Sequence, residues 1–305
     1  LWSKMVDAVS VDSLVKMYGK APAVDNISFD VAKGEVFSLL GPNGAGKTTT
    51  IEIIECIRSP TSGSVRVLGY DTSKPEDVRR IKREIGVLPQ EFSMFENLKV
   101  SEVVRFFGSL YGDTSRVDEV LAALDLVNDR NKKFDALSGG MKQRVGIASA
   151  VVHDPEIAFL DEPTTGLDPR SRRDVWRFIT GLKEKGKTVF LTTHYMEEAQ
   201  LLSDRVAIVN RGKIAAIGTP KDLIERYGGM KKVALRNVGE AAAKKLVEEF
   251  DALHENGSIT IYLKDRGDLK RIMTEAPFED IEVITPSLED VFLKLAGERL
   301  KEGPA

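Results

Sequence analysis

A chain of 305 residues, 42% hydrophobic and 30% charged, has enough apolar material for one large domain or two ordinary ones and should fold without disulfides. Its 44 Lys and Arg against 47 Asp and Glu give a formal charge of −3, which removes the overall positive field of a sequence-independent nucleic-acid binder. No apolar run approaches the roughly 18 residues of a membrane span and no charged-then-apolar leader opens the chain, so it is expected to be soluble by itself. The single Cys56 has no partner for an internal disulfide and fits a core position in a reducing interior. Leu1 to Lys4, ahead of Met5, are given no function.

The first stretch reads as antiparallel strands over residues 11–17 and 27–31, then a turn at Lys33-Gly34 and an apolar strand over 36–40. A helix is predicted over 48–58, closed by Pro60 and Gly63. Further apolar runs at 85–88, 157–160, 188–192 and 206–209 lack alternation, the pattern of central strands covered on both faces. Residues 91–138 turn mostly helical, with helices predicted over 100–111 and 115–126, and read as an inserted subdomain. After Asp168 and Pro169, an N-cap followed by a first helical position, Val175, Phe178, Ile179 and Leu182 mark one helix face and Gly186 ends it. Trp176 beside that stripe reads as packing.

A domain boundary is expected at Gly228-Gly229, giving domains 1–228 and 229–305. Beyond it the pattern runs strand (233–238), helix (240–250), strand (252–254), an Asn256-Gly257 turn, strand (259–263), helix (268–276), strand (281–285) and helix (288–296). Asn-Gly between β-prone runs is a strong hairpin signal. The order β-α-β-β-α-β is that of a small α+β ferredoxin-like unit with one appended helix.

Two glycine-rich segments carry the chemistry. Gly41-Pro42-Asn43-Gly44-Ala45-Gly46-Lys47-Thr48 follows a predicted strand and opens a predicted helix. Its glycines let backbone N–H groups turn inward around phosphate oxygens, and the helix N-terminus aims its positive end at the same anion. Lys47 is placed to reach the β- and γ-phosphates of a nucleoside triphosphate, and the Thr48 hydroxyl to ligate Mg²⁺. The run 157–160 delivers Asp161 and Glu162 at its C-terminal end, the edge at which open α/β sheets bind ligands. Asp161 suits the Mg²⁺ shell, and Glu162 suits polarisation of an attacking water.

About a hundred positions after the first loop, Leu137-Ser138-Gly139-Gly140-Met141 offers a second helix N-terminus, with Ser138 as N-cap and unsatisfied N–H groups pointing outward. One nucleotide cannot occupy both sites of one chain. Two copies facing head to tail under twofold symmetry would each lend this helix to the other's nucleotide.

These motifs, in this order over residues 11 to about 227, resemble those of the ATP-binding cassette ATPases. The resemblance implies an α/β P-loop cassette with a mostly parallel core sheet, an antiparallel N-terminal β-subdomain and a helical insertion at about 91–138. It implies that Tyr18 stacks on adenine, that Gly41 to Thr49 hold the phosphates of ATP, and that Gln90 senses Mg²⁺ and the attacking water. It further implies that Ser138, Gly139 and Gly140 cap the γ-phosphate of the partner subunit's ATP, that Asp168 in Gly166-Leu167-Asp168 lies at the subunit junction, and that His194 contacts the γ-phosphate. His194 is preferred over His153 and His254 because it alone follows a core strand at its active edge. Met141 departs from the Gln common at that position; the glycines and serine carry the anion contacts.

A chain that hydrolyses ATP as a homodimer and lacks a membrane span is expected to drive a separate membrane-spanning permease, from the inner face of the cell membrane. The segment from Glu91 to Lys99, with Phe92, Met94 and Phe95, is the candidate contact; internal packing of the insertion is its equal alternative. The layout is also similar to the ATPase subunits of ABC-2 type exporters, whose small C-terminal domain often ends much as Pro286-Ser287-Leu288-Glu289-Asp290-Val291-Phe292 does; dimerisation, regulation of the ATPase and ligand binding all stay open as its role here. A different class, a soluble cassette ATPase acting on ribosomes or DNA, usually carries two cassettes or a long coiled-coil insertion, and neither is visible here. A P-loop kinase or GTPase would leave the Ser138 motif unexplained.

Overall fold

The structure, a computed structural model, describes residues 7–229, 231–255, 258–263, 266–275 and 280–297. Leu1 to Lys4 and the Asn256-Gly257 turn lie outside them. The chain forms two compact units, Leu1–Pro220 and Lys221–Ala305.

In chain order the first unit contains β1 (Asp7–Tyr18), β2 (Ala21–Ala32), β3 (Val36–Leu40), α1 (Lys47–Ile54), β4 (Ser62–Val67), β5 (Tyr70–Asp71), α2 (Pro75–Glu84) and β6 (Ile85–Leu88). There follow α3 (Val100–Leu110), α4 (Val117–Ala123), α5 (Gly139–Val151), β7 (Ile157–Asp161), α6 (Pro169–Glu184), β8 (Thr188–Thr192), α7 (Met196–Leu202), β9 (Arg205–Asn210) and β10 (Lys213–Gly218). An antiparallel sheet has the order β2-β1-β4-β5, and a larger sheet the order β10-β9-β3-β8-β7-β6. Within the larger sheet β9, β3, β8, β7 and β6 are parallel, and only β10 pairs antiparallel, with β9.

The five residues of β3 and of β8 are all buried, and alternate residues serve different cores. Phe37, Leu39, Ile157, Phe159 and Phe190 pack with the antiparallel sheet and α1, whereas Val36, Ala158, Leu160, Val189 and Leu191 pack with α5, α6 and the helical insertion. This is the two-residue period of a strand covered on both faces. An aromatic row crosses the first face: Phe29 stacks on Phe37 at 5.4 Å, Phe37 meets Phe190 at 5.3 Å, and Phe190 meets Phe159 at 5.5 Å. The insertion is less independent than the sequence suggests, because Val103, Val104, Val120, Leu121 and Phe134 share one buried cluster with α5 and the sheet.

The helix expected over 48–58 begins at Lys47 and ends at Ile54. Cys56 explains the early stop: it adopts a left-handed φ of 61°, its N–H donates to Ile53 O at 3.1 Å, and the Ile57 N–H donates to Glu52 O at 2.8 Å. That pair of bonds is the Schellman termination, in which glycine is usual at the left-handed position. Cys56 is half-buried against the core, and burial pushes its thiol up to about 11.

The second unit carries α8 (Pro220–Tyr227), β11 (Lys232–Arg236), α9 (Glu240–Glu249), β12 (Ala252–Glu255), β13 (Ser258–Tyr262), α10 (Arg266–Glu275), β14 (Asp280–Ile284) and α11 (Leu288–Gly297). Its sheet has the order β12-β13-β11-β14 with every pair antiparallel, the arrangement of a split βαβ unit. Contacts divide the chain after Pro220 rather than at Gly228-Gly229. The turn ending α8 belongs to the second unit, since a side-chain carbon on Gly228 would lie 3.1 Å from Pro286. The 286–292 motif is also structural. Asp290 accepts from the Ser287 N–H at 2.8 Å and pairs with Lys232 at 3.3 Å, while Leu288 and Val291 are fully buried.

A β-branched side chain fits the left-handed region poorly, at a cost of roughly 1–2 kcal/mol. Cys56→Val should therefore lower the unfolding free energy by about that amount, while Cys56→Gly stays within about 1 kcal/mol of the parent, measured by urea denaturation.

Candidate active site

The parallel sheet places its strand ends in a row. Leu39 lies opposite Thr192, Asp161 opposite Thr192, and Leu88 opposite Leu160. Across β3, β8, β7 and β6, the C-terminal edge therefore presents the Gly41 loop, His194, the Asp161-Glu162 pair and Gln90 in that order.

At the first position the backbone itself is the binding element. Gly46 has φ 102°, and a side-chain carbon there would lie 2.2 Å from Ala23 O; one on Gly41 would lie 2.4 Å from Val209 O. Only glycine lets the loop pass between these neighbours. Gly46 also N-caps α1 with no side-chain hydrogen bond, so the first-turn N–H groups have no partner within the helix. Lys47 bends over the loop, its Nζ donating to Gly41 O at 2.7 Å and Pro42 O at 3.1 Å. Burial lowers the Lys47 pKa, and the carboxylates of Glu162 and Asp161 oppose that shift. Pro42, Asn43, Gly44 and Thr48 are exposed, Ala45 is buried and Thr49 is half-buried.

The two acids diverge as adjacent strand residues should. Asp161 closes β7 and accepts a short hydrogen bond from the Thr192 hydroxyl. Burial raises its pKa, the Thr192 bond works against that rise, and the charge of Glu162 adds to it. Glu162 sits at φ 48°, a left-handed conformation that costs a non-glycine residue roughly 1–3 kcal/mol and that clusters at functional sites. Two bonds hold its N–H, to Thr192 O at 3.1 Å and Thr192 Oγ1 at 3.0 Å. Its Oε2 accepts from the Thr165 hydroxyl at 3.1 Å and lies 3.3 Å from His194 Nδ1. Lys47, Asp161, Glu162 and His194 are thus brought together.

Gln90 is exposed two residues beyond β6, and among the described residues no hydrogen bond ties it to that group. Tyr18 ends β1 opposite Ala21, 45% exposed, with Lys16 and Arg58 over its ring at 5.6 Å and 5.8 Å. The same hairpin supplies Ala23 beside Gly46.

Ser138 caps α5, its Oγ accepting from the Met141 N–H at 3.3 Å, and Ser138 and Gly139 are exposed. Among the described residues no hydrogen bond or ion pair joins them to the Gly41 loop of the same chain. Met141 packs half-buried against the larger core, which gives the side chain at this position an apolar setting. Asp168 caps α6, accepting from the Arg170 N–H at 2.9 Å, the Ser171 N–H at 3.1 Å and the Ser171 hydroxyl at 2.6 Å. The Ser171 bonds lower its pKa.

Sequence reasoning missed Thr192, Thr165 and Gln143, whose amide donates to Glu162 O at 3.4 Å. Thr192 was visible as the end of an apolar strand, but its role depends on the β7–β8 register. Among the described residues no cluster of three His, Cys, Asp or Glu could hold a metal by itself.

Residues 24–165 match the family model described as ABC transporter. The chain is 36% identical to the linearmycin resistance ATP-binding protein LnrL of Bacillus subtilis, over 96% of this chain and 100% of the relative. It is 35% identical to the daunorubicin resistance ATP-binding protein DrrA3 of Streptomyces coeruleorubidus, over 97% and 98% of the two chains, and 36% identical to the Nod factor export ATP-binding protein I of Rhizobium etli, over 97% and 95%. Among solved structures it is similar to an ATP-binding subunit of an ABC transporter, with TM-score 0.66 and 28% identity over 72% of this chain and 93% of that one. It is also similar to a bacterial ABC transporter cassette solved as a dimer, with TM-score 0.64 and 29% identity over 69% and 98%. A P-loop α/β fold, the motif-bearing sheet edge and full-length relatives agree: the chain belongs to the ABC transporter ATP-binding proteins, as an ATPase subunit of the exporter type.

Proposed function

We propose that two copies of this chain close head to tail around two ATP molecules, and that hydrolysis drives a permease on a separate chain in the direction of export. The observation that carries this reading is the separation of two anion-directed helix starts. One, at α1, adjoins Lys47, Asp161 and Glu162; the other, at Ser138 and Gly139, is exposed and among the described residues has no hydrogen bond to the first. A second copy supplies the missing juxtaposition.

In this reading Gly41 to Thr49 cradle the phosphates, Lys47 pairs with the β- and γ-phosphates, and Tyr18 stacks on adenine. Glu162 takes the proton of the attacking water. Its Oε2 is committed to Thr165 and His194, which leaves Oε1 to serve the nucleophile. His194 and the partner's Ser138 hold the γ-phosphate from two sides, and Asp168 meets its counterpart at the junction. Thr48, Asp161 and Gln90 offer oxygen donors of the kind Mg²⁺ takes, few in number because substrate phosphates complete its shell. The half-buried Asp161, raised by burial, fits a cation site. Mg²⁺ supplies charge neutralisation on the β- and γ-oxygens.

For the permease contact this reading favours Phe95. Phe92 and Met94 pack against the core with Leu98, whereas Phe95 is 74% exposed in the segment that follows Gln90. Export is supported by relatives named for drug resistance and for Nod factor export. No helix among the described residues is long and apolar enough to cross a membrane, so the reading requires a membrane-spanning partner that holds the chain at the inner face of the membrane.

Glu162→Gln keeps the phosphate and Mg²⁺ donors and removes the base. Steady-state ATPase should fall by roughly 10²-fold or more, while ATP drives a long-lived dimer visible by light scattering; wild-type turnover would remove Glu162 from the role of base. Ser138→Arg should abolish turnover yet leave the ATP affinity of the monomer unchanged by titration calorimetry. Loss of monomer binding in that variant would contradict a contribution in trans.

A further inference from the structure

We propose that Tyr195 is a positioning residue that sets the ring of His194 against Glu162, with its own ring held by Arg172 of α6. The proposal rests on the reading that His194 and Glu162 act at the γ-phosphate.

His194 lies between β8 and α7 with its side chain 51% exposed, and among the described residues its one polar partner is Glu162 at 3.3 Å. A half-exposed imidazole with a single long contact samples other rotamers unless a neighbour blocks them. Tyr195 is that neighbour, with ring centroids 4.1 Å apart and an interplanar angle of 39°. Tyr195 is fixed in turn: its N–H donates to Thr193 Oγ1 at 3.0 Å, and the Arg172 guanidinium lies 4.3 Å from its ring centroid. Arg172 Nε is buried without a hydrogen-bond partner, and the guanidinium, whose charge also acts on Glu198, lies over the ring, where a partly desolvated cation–π contact is strong.

The clamp is rooted in rigid structure. Arg172 sits in the first turn of α6, its N–H donating to Asp168 O at 2.9 Å. One turn further on, Trp176 Nε1 donates at 2.9 Å to Glu198, which is fully buried in α7. Helix α6 thus holds the chain at two points just after His194, at Tyr195 and at Glu198. The helix that begins at the Asp168 junction also decides which way the imidazole points. The contact uses the face of the Tyr195 ring, and among the described residues the phenol hydroxyl has no hydrogen-bond partner. Phenylalanine should therefore replace it and leucine should not.

The test compares Tyr195→Phe, Tyr195→Leu and Arg172→Met in the full chain, with thermal unfolding confirming that each folds. Tyr195→Leu should lower kcat for ATP about 10-fold with KM changed less than about twofold, Arg172→Met should give a smaller loss, and Tyr195→Phe should match the parent. Ring ¹H–¹⁵N spectra of the histidines, with His194 assigned through His194→Gln, supply a readout free of turnover. The His194 ring-proton shifts should move in Tyr195→Leu and stay in Tyr195→Phe. Equal kcat losses in the Phe and Leu variants, or unmoved His194 shifts in Tyr195→Leu, would overturn the proposal. If His194→Gln itself keeps wild-type turnover, the catalytic reading of His194 fails, while the ring spectra still decide whether Tyr195 positions it.

Discussion

A lysine ammonium and two carboxylates share the half-buried edge of a parallel sheet, and most of what this cassette does follows from holding them there. Burial disfavours the charge on Lys47 and on Asp161: it lowers the pKa of the first and raises that of the second. Mutual attraction works against that penalty in Lys47, while the neighbouring carboxylates repel one another. In the proposed reading, polyanionic phosphates and a divalent cation supply the compensation the protein lacks. The sheet holds the group together. Two strands with every residue buried, β3 and β8, fix the register from which Lys47, Asp161, Glu162 and His194 project.

Thr192 is the junction of that arrangement. Its hydroxyl donates to Asp161 and accepts from the Glu162 N–H, and its carbonyl accepts from the same N–H. One side chain on the neighbouring strand therefore orients both acids and stabilises the left-handed backbone at Glu162. Strain at Glu162 and order at Thr192 are two sides of one device: the chain turns sharply enough that consecutive carboxylates meet different partners.

The parts of this site that were legible in the sequence are those in which chemistry fixes spacing within one segment. A phosphate cradle needs glycines at set intervals, so Gly41 to Thr48 could be read directly; a strand delivering acids to its end likewise exposed Asp161 and Glu162. Contacts set by register were not legible, since nothing in a single strand shows that Thr192 lies opposite Asp161 or that Phe37, Phe159 and Phe190 form one row. Strands β4 and β10 escaped notice because few of their residues are buried, leaving little hydrophobic pattern to detect. Cys56 misled because its left-handed turn uses a residue type that carries no turn signal. Met141 found its explanation in packing against the larger core, which the sequence alone could not supply.

The central claim is that each catalytic site is built from two chains, and a mixture of two inactive variants tests it most directly. In a head-to-tail dimer, a Ser138→Arg chain and a Glu162→Gln chain place both lesions in one site and leave the other site intact. Mixing the purified variants in equal amounts should restore ATP hydrolysis to about a quarter of the wild-type rate, from the heterodimeric half of the population with one sound site each. A mixture no more active than its separate components would contradict the shared site.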